Sequence, residues 1–166
     1  MKKTLLAIAI PILLLGLPGC TPAQSHNHEH HAQHLKQHDR CHMCGMMITK
    51  YPGPKGQLML KDSDAVPKFC SSRDMFSFAL QPENQRRIAA MFVHDMGTTD
   101  WEQPDDNAFI DATKAWYVYG TSKKGVMGPA VAPFSTKEAA QAFAEAWGGR
   151  VLAYEEVTLE LLEGAN

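Results

Sequence analysis

The sequence predicts an α+β fold built from two similar ββαβ units that follow a disordered, His-rich tether. Three observations carry that reading. From Cys41 onward, short apolar runs alternate with Pro-Gly punctuation, the pattern of strands joined by turns. The stretches "PKFCSSRDMFSF" and "APFSTKEAAQAF" each place Pro, then Phe, then small hydroxyl residues ahead of an acidic residue and an apolar helical face. Residues 21–40, "TPAQSHNHEHHAQHLKQHDR", hold six histidines, one large aliphatic residue (Leu35) and no aromatic, too little apolar surface to offset the entropy of ordering.

The elements follow in chain order. Residues 1–19 read as a signal peptide: Met1-Lys2-Lys3, the apolar run "LLAIAIPILLLGL" and then "LPGC" at Leu17 to Cys20. The run is too short to span a membrane as a mature helix. Its Gly-Cys ending looks like a bacterial lipobox, which makes Cys20 the lipidated first residue of a membrane-anchored periplasmic protein. Residues 20–40 are the tether, either a soluble spacer or a loose collector of Cu²⁺, Zn²⁺ or Ni²⁺ through neutral imidazoles.

The first unit is expected over 41–97. "CGMMIT" and "GQLMLK" form a hairpin around "YPGPKG", "SSRDMFSFAL" a short helix and "AAMFVHDM" a strand. Residues 98–107 form a polar loop, and the second unit covers 108–160: "AFIDATKAWYVYG", "VMGPAVAPF", "STKEAAQAFAEAWGG" and "RVLAYEEVTLE" read as strand, strand, helix, strand. Ser71 to Asp74 and Ser135 to Glu138 each fit a capping box. Phe143 and Trp147 share a helical face with Ala139 and Ala140, and Gly148-Gly149 end that helix.

Charge excludes one class of partner. Sixteen basic residues face eighteen acidic ones, so nothing suggests nucleic acid. Cysteine usage points to chemistry, because setting Cys20 aside leaves Cys41, Cys44 and Cys70, an odd number in a compartment that favours disulfides. At least one thiol stays free or pairs between chains.

The stretch "CHMCGMM", residues 41–47, narrows the options. A c-type haem needs His directly after the second cysteine, where Gly45 stands. A thioredoxin-like pair belongs at a helix N-terminus, whereas this stretch reads as the start of a hairpin. Structural zinc usually takes four ligands in two pairs, and no second pair exists. A soft monovalent ion fits better, since Cu(I) prefers thiolate and thioether and accepts two or three ligands. On a strand, Cys44 and Met46 share one face, so Cys41, Cys44 and Met46 are candidate ligands. His94 is the one histidine outside the tether and the first motif, and alternation puts it on a side with Phe92 and Met96; it is a further candidate. Beyond Gly97 there is no Cys or His, and the one methionine is Met127. Its Gly-flanked turn leaves room for a ligand, so the expected site bridges the two units, with Cys41, Cys44 and Met46 facing Met127. Cys70, at the lip of the first helix, is expected to be structural.

Taken together, "CHMCGM", "YPGPKGQ", "KFCSSRDMF", "FVHDMGTTDW", "FIDATKAWYV", "MGPAVAPF" and "FAEAWGG" resemble the NosL family of nitrous oxide reductase accessory lipoproteins, over a span from the lipobox to about Val157. The resemblance implies an outer-membrane-anchored periplasmic protein whose two ββαβ units are similar in topology to the organomercurial lyase MerB. It also implies a non-enzymatic chaperone that binds one Cu(I) and delivers it for assembly of the copper centres of nitrous oxide reductase, with the reductase and an ABC-type maturation complex as partners. The rival reading is an enzyme, either a thiol-disulfide oxidoreductase or a MerB-like lyase using Cys41 and Cys44. A lipoprotein that only scaffolds the reductase complex, without tight metal binding, is the third.

Overall fold

The computed structural model describes residues 30–164, so the signal peptide, Cys20 and the first part of the tether lie outside the described residues. Among the described residues, seven strands form two antiparallel sheets. The first has the order β2-β1-β3-β4, from β1 (Gly56–Leu60), β2 (Lys68–Phe69), β3 (Ile88–His94) and β4 (Phe109–Asp111). The second has the order β6-β5-β7, from β5 (Trp116–Lys124), β6 (Pro129–Phe134) and β7 (Arg150–Leu152). Helices α1 (Ser72–Ala79) and α2 (Pro82–Gln85) lie between β2 and β3, α3 (Lys137–Trp147) between β6 and β7, and α4 (Leu159–Glu163) closes the described chain.

Each main helix starts where a hydroxyl can replace the missing intrahelical acceptor. The Ser71 hydroxyl accepts from Asp74 N–H at 3.0 Å, as expected. In the second helix the cap is Thr136, which accepts from Ala139 N–H at 3.2 Å, and not Ser135. Ser135 N–H instead donates to Asp95 Oδ1, just past the end of β3. Helix α3 ends at Gly148, whose φ of 72° favours glycine. Phe143 faces inward against Trp101 and Phe134, whereas Trp147 is exposed under the Lys123 ammonium.

The two sheets share one core. Leu58, Phe69, Met75, Phe76 and Val93 pack with Tyr117, Val131, Leu152 and Leu162, so α1 is buried between the two sheets rather than against the first alone. Polar contacts fix its place: the Ser72 hydroxyl donates to Val131 O and the Arg73 guanidinium to Leu162 O. A second cluster of Met96, Trp101, Val118, Phe134 and Ala140 lies beneath α3.

Four further expectations are corrected. "CGMMIT" is not a strand, because Cys41 N–H donates to Met46 O and Gly45 N–H to Cys41 O, and with Gly45 at φ 74° these close a tight turn. One antiparallel bridge, Arg40 to Met47, and a 3-10 turn at Ile48–Lys50 follow. "AFIDATKAWYVYG" breaks in two at a 3-10 turn over Ala112–Lys114, where the Asp111 carboxylate accepts from Thr113 N–H. Its first half, β4, pairs with β3 in the first sheet, so the boundary drawn at 108 falls within that sheet. "RVLAYEEVTLE" is a three-residue strand followed by a 3-10 turn and α4, capped by Thr158.

The last correction concerns the tether, whose final part is docked rather than disordered. Gln57, fully buried, exchanges two hydrogen bonds with the backbone of Gln33. Asp106 accepts from Leu35 N–H, Lys68 bonds His34 O and Asp39, and Leu35 packs on the core. Buried polar groups of the sheet thus obtain their partners from the tether.

Glycine geometry gives a stability test. Gly149 has φ 107°, and a Cβ there would lie 2.7 Å from Val118 Cγ1 and 2.9 Å from Tyr119 O. Gly149→Ala is expected to lower the unfolding free energy by about 2–3 kcal/mol in urea titrations, because clash adds to backbone strain. Gly148→Ala, with open space around its Cβ, should cost about 1 kcal/mol from the left-handed backbone alone. Equal losses would contradict the close approach of β7 to β5.

Candidate metal centre

The tight turn at Cys41–Met46 and the start of α1 meet at one point. His42 N–H donates to Lys68 O, which holds the turn against β2, and the His42 ring packs edge-on against Phe69 and Phe78. Cys70 follows β2 and Asp74 lies in the first turn of α1, and their side chains meet. The thiols of Cys41, Cys44 and Cys70 and an oxygen of Asp74 all lie within 4.8 Å of one another. Cys44 Sγ is 3.6 Å from Cys70 Sγ, and Asp74 Oδ2 is 3.4 Å from Cys70 Sγ and 3.6 Å from Cys41 Sγ. All three cysteines are free; Cys41 and Cys70 are buried and Cys44 is exposed.

The surroundings treat the two buried sulfurs differently. Cys41 is held well below the ordinary thiol range, first by the Cys70 thiol donating to it, then by backbone N–H groups of Cys44, Cys70 and Met43 aimed at its sulfur. The same contact opposes ionisation of Cys70, which burial and Asp74 push further up. Asp74 is raised to about 6 by burial. Within the pair, negative charge is therefore favoured on Cys41 and disfavoured on Cys70.

Beneath the cluster lies Lys55, which is 2% exposed in spite of its place in the expected surface turn. Its ammonium donates to Tyr51 O at 2.6 Å, Pro52 O at 2.9 Å and Cys70 O at 3.1 Å. Desolvation lowers its pKa to about 8, and the nearby Cys70 and Cys41 work against that shift. A fixed cation thus sits next to a set of three sulfurs and one carboxylate, a donor set that selects a soft metal ion.

Of the expected ligands, the structure brings Cys41 and Cys44 together. Met46 follows two residues after Cys44 and is half-buried against the core. Met127 is 41% exposed on the turn between β5 and β6. It lines a small cavity with Ser71, Ser72 and Arg73, so it lies beside the helix start that carries Cys70 and Asp74. Cys70, expected to be structural, stands in the cluster. Asp74 was visible only as a capping-box acid; the i, i+4 spacing of Cys70 and Asp74 across a helix start was the signal for both.

His94 does not join the thiols. It is fully buried, its Nδ1 accepts from Lys55 N–H at 3.2 Å, its ring lies on Phe109 and its Nε2 faces Asp106. At the end of β3 its register places it opposite Phe109 of β4. Burial first, and the Lys55 charge second, lower its pKa to about 3. Between that value and the ordinary histidine range near 6.5, the unfolded chain binds a proton that the native state lacks, so His94 makes stability fall as pH drops below about 6.5. Asp74 acts with the opposite sign between about 6 and 3.8. Comparing metal-free wild type with His94→Gln isolates the histidine: between pH 7 and 5 the wild type is expected to lose about 2 kcal/mol more than the variant in urea titrations. Parallel losses would contradict a buried neutral His94.

The NosL family model matches residues 32–162. Over 162 residues the chain is 46% identical to the copper-binding lipoprotein NosL of Stutzerimonas stutzeri, covering 98% of this chain and 83% of the relative. Over 120 residues it is 42% identical to the copper-binding lipoprotein NosL of Achromobacter cycloclastes, covering 70% and 62%. Among solved structures, that of the copper chaperone NosL from Shewanella denitrificans superposes with a TM-score of 0.75 at 45% identity, covering 77% of this chain and 96% of that one. The matched span contains both sheets and every residue of the sulfur cluster, and on these grounds the chain belongs to the NosL family.

Proposed function

We propose that this protein is a non-enzymatic Cu(I) chaperone, lipid-anchored through Cys20 on the periplasmic face of the outer membrane, which delivers copper for assembly of the copper centres of nitrous oxide reductase. The observation that carries the reading is the cluster of three free thiols with one member, Cys44, open to solvent. Relatives named as copper-binding lipoproteins and a copper chaperone support it. In this reading Cys44 and Cys41 bind as thiolates, the thioethers of Met46 and Met127 complete the set, and Cys70 lies behind them. A low-coordinate site of this kind allows ligand-by-ligand exchange to a partner, here the reductase with its ABC-type maturation complex, without release of a free ion.

In both sheets the chain runs strand, strand, helix, strand, with the first of these strands between the other two. That shared order supports two ββαβ units with MerB-like topology. A copper site between them then uses a fold whose two halves can each contribute donors.

A redox reading has one observation in its favour, the 3.6 Å separation of Cys44 and Cys70. One experiment separates the two. The reduced, Cu(I)-loaded full-length chain is mixed anaerobically with copper-free reductase and the maturation complex, with a Cu(I) chelator present to capture free ion. Copper recovered in the reductase at a chelator concentration that blocks free Cu(I) supports the chaperone. Turnover of a disulfide substrate without copper transfer would replace it with the oxidoreductase.

A further inference from the structure

The thiols and Met127 are carried by segments far apart in the chain, and one side chain stands between them. Helix α1 starts at the cap Ser71 and continues Ser72-Arg73-Asp74. Asp74 meets Cys70 in the thiol cluster at 3.4 Å. The two residues before it hold β6 instead: the Ser72 hydroxyl donates to Val131 O, and Arg73 Nη1 donates to Pro129 O at 3.4 Å. Pro129 opens β6, directly after the turn over residues 125–128 that carries Met127.

That turn has little else to hold it. Among the described residues, 125–128 make no backbone–backbone hydrogen bond, and β5 and β6 lose regular register between Tyr119 and Lys124. Its first end is tied by the Trp101 indole N–H, which donates to Lys124 O at 3.2 Å. Its last end is tied by Arg73, whose guanidinium also lies against Gly128: a Cβ there would stand 3.6 Å from Nε and 3.7 Å from Cζ. Arg73 is itself fixed from the far side, since Nη2 donates to Leu162 O near the end of α4, where carbonyls lack intrahelical partners. Among the described residues no ion pair competes for the guanidinium.

We propose that Arg73 is a positioning residue of the copper site: its forked guanidinium holds the Met127 turn against the helix start that carries Cys70 and Asp74. This role rests on the copper-chaperone reading with Met127 as a ligand. A thioether is a soft, neutral donor, and a donor on a loose loop loses conformational entropy when an ion orders it. Arg73 lessens that loss by setting the turn before the ion arrives. Lysine does not replace it, because one ammonium on a flexible stem lacks the planar fork that donates to Pro129 O and Leu162 O in two directions.

The test is a double-mutant cycle on full-length protein in detergent, reduced and titrated anaerobically with Cu(I) against a competing chelator. Wild type, Arg73→Lys, Met127→Ile and the double variant are compared, with urea titrations confirming that each is folded. Arg73→Lys is expected to weaken Cu(I) binding by about tenfold or more, and to weaken it no further once Met127→Ile is present. Copper–selenium scattering from selenomethionine protein is expected to fall in Arg73→Lys as it does in Met127→Ile. Arg73→Gln, which keeps a planar amide donor, takes its place in the cycle if Arg73→Lys does not fold. Equal weakening by Arg73→Lys with and without Met127 would overturn the positioning role. Wild-type affinity in Arg73→Lys beside a weakened Met127→Ile would overturn it as well, with the ligand reading intact. Wild-type affinity in Met127→Ile would remove Met127 from the site and the role of Arg73 with it.

Discussion

Cys44→Ser is expected to weaken Cu(I) binding by more than the roughly 10–100-fold that loss of a merely supporting group costs at a metal site. Cys44 is the exposed member of the cluster, so the substitution removes a soft donor without opening the core. A serine hydroxyl is a hard, neutral donor that does not compensate for thiolate on a soft monovalent ion. The expected order across variants follows from softness and placement. Asp74→Asn should fall within about tenfold of wild type, since a carboxylate oxygen contributes little to Cu(I). Met127→Ile keeps most of the bulk and removes the thioether, so it should weaken binding with little change in folding, while Met59→Ile, buried in β1, should leave affinity intact. Chelator competition under anaerobic conditions measures all four. Wild-type affinity in Cys44→Ser would move the metal to Cys41 and Cys70.

Lys55→Met is expected to destabilise the protein by about 3 kcal/mol, because three backbone carbonyls lose a charged donor inside the fold and buried acceptors left unpaired cost about 1–3 kcal/mol each before relaxation. The loss should appear as a melting temperature lower by about 10 °C. Copper affinity is expected to fall with it. Removing the ammonium takes away the cation near Cys41 and Cys70 and frees the Cys70 carbonyl from the "YPGPK" turn. Lys55→Arg does not rescue the fold, since a planar guanidinium cannot donate to three carbonyls converging on one nitrogen. A stable Lys55→Met protein would show that Lys55 is held by its aliphatic stem alone.

Local signals in the sequence located the helices well. Hydroxyl caps, the apolar face of "DMFSFA" and the Gly148-Gly149 stop place α1 and α3 within a residue or two, because these depend on neighbours in the chain. Strand pairing was less legible. "CGMMIT" has the composition of a strand, but its backbone hydrogen bonds close on themselves through Gly45, and "AFID" pairs with β3 across a loop that carries no mark of its partner. Residues 33–40 looked free on composition. Their order comes from Gln57, Lys68 and Asp106, polar groups whose need for partners appears only when the sheet forms.

The site was half legible for the same reason. C-x-x-C-G-M announces itself within six residues, whereas Cys70 and Asp74 arrive through the packing of α1 against the turn. The ammonium of Lys55 was the least visible member. A lysine between Pro and Gly reads as surface, and only the convergence of three carbonyls explains its burial.

Copper held by sulfur at this cluster has cysteine and methionine as its nearest neighbours. X-ray absorption at the copper edge tests this most directly, on reduced full-length protein carrying selenomethionine and one equivalent of Cu(I). The expected result is short copper–sulfur scattering from cysteine together with copper–selenium scattering from Met46 or Met127. A first shell of nitrogen and oxygen alone would contradict it.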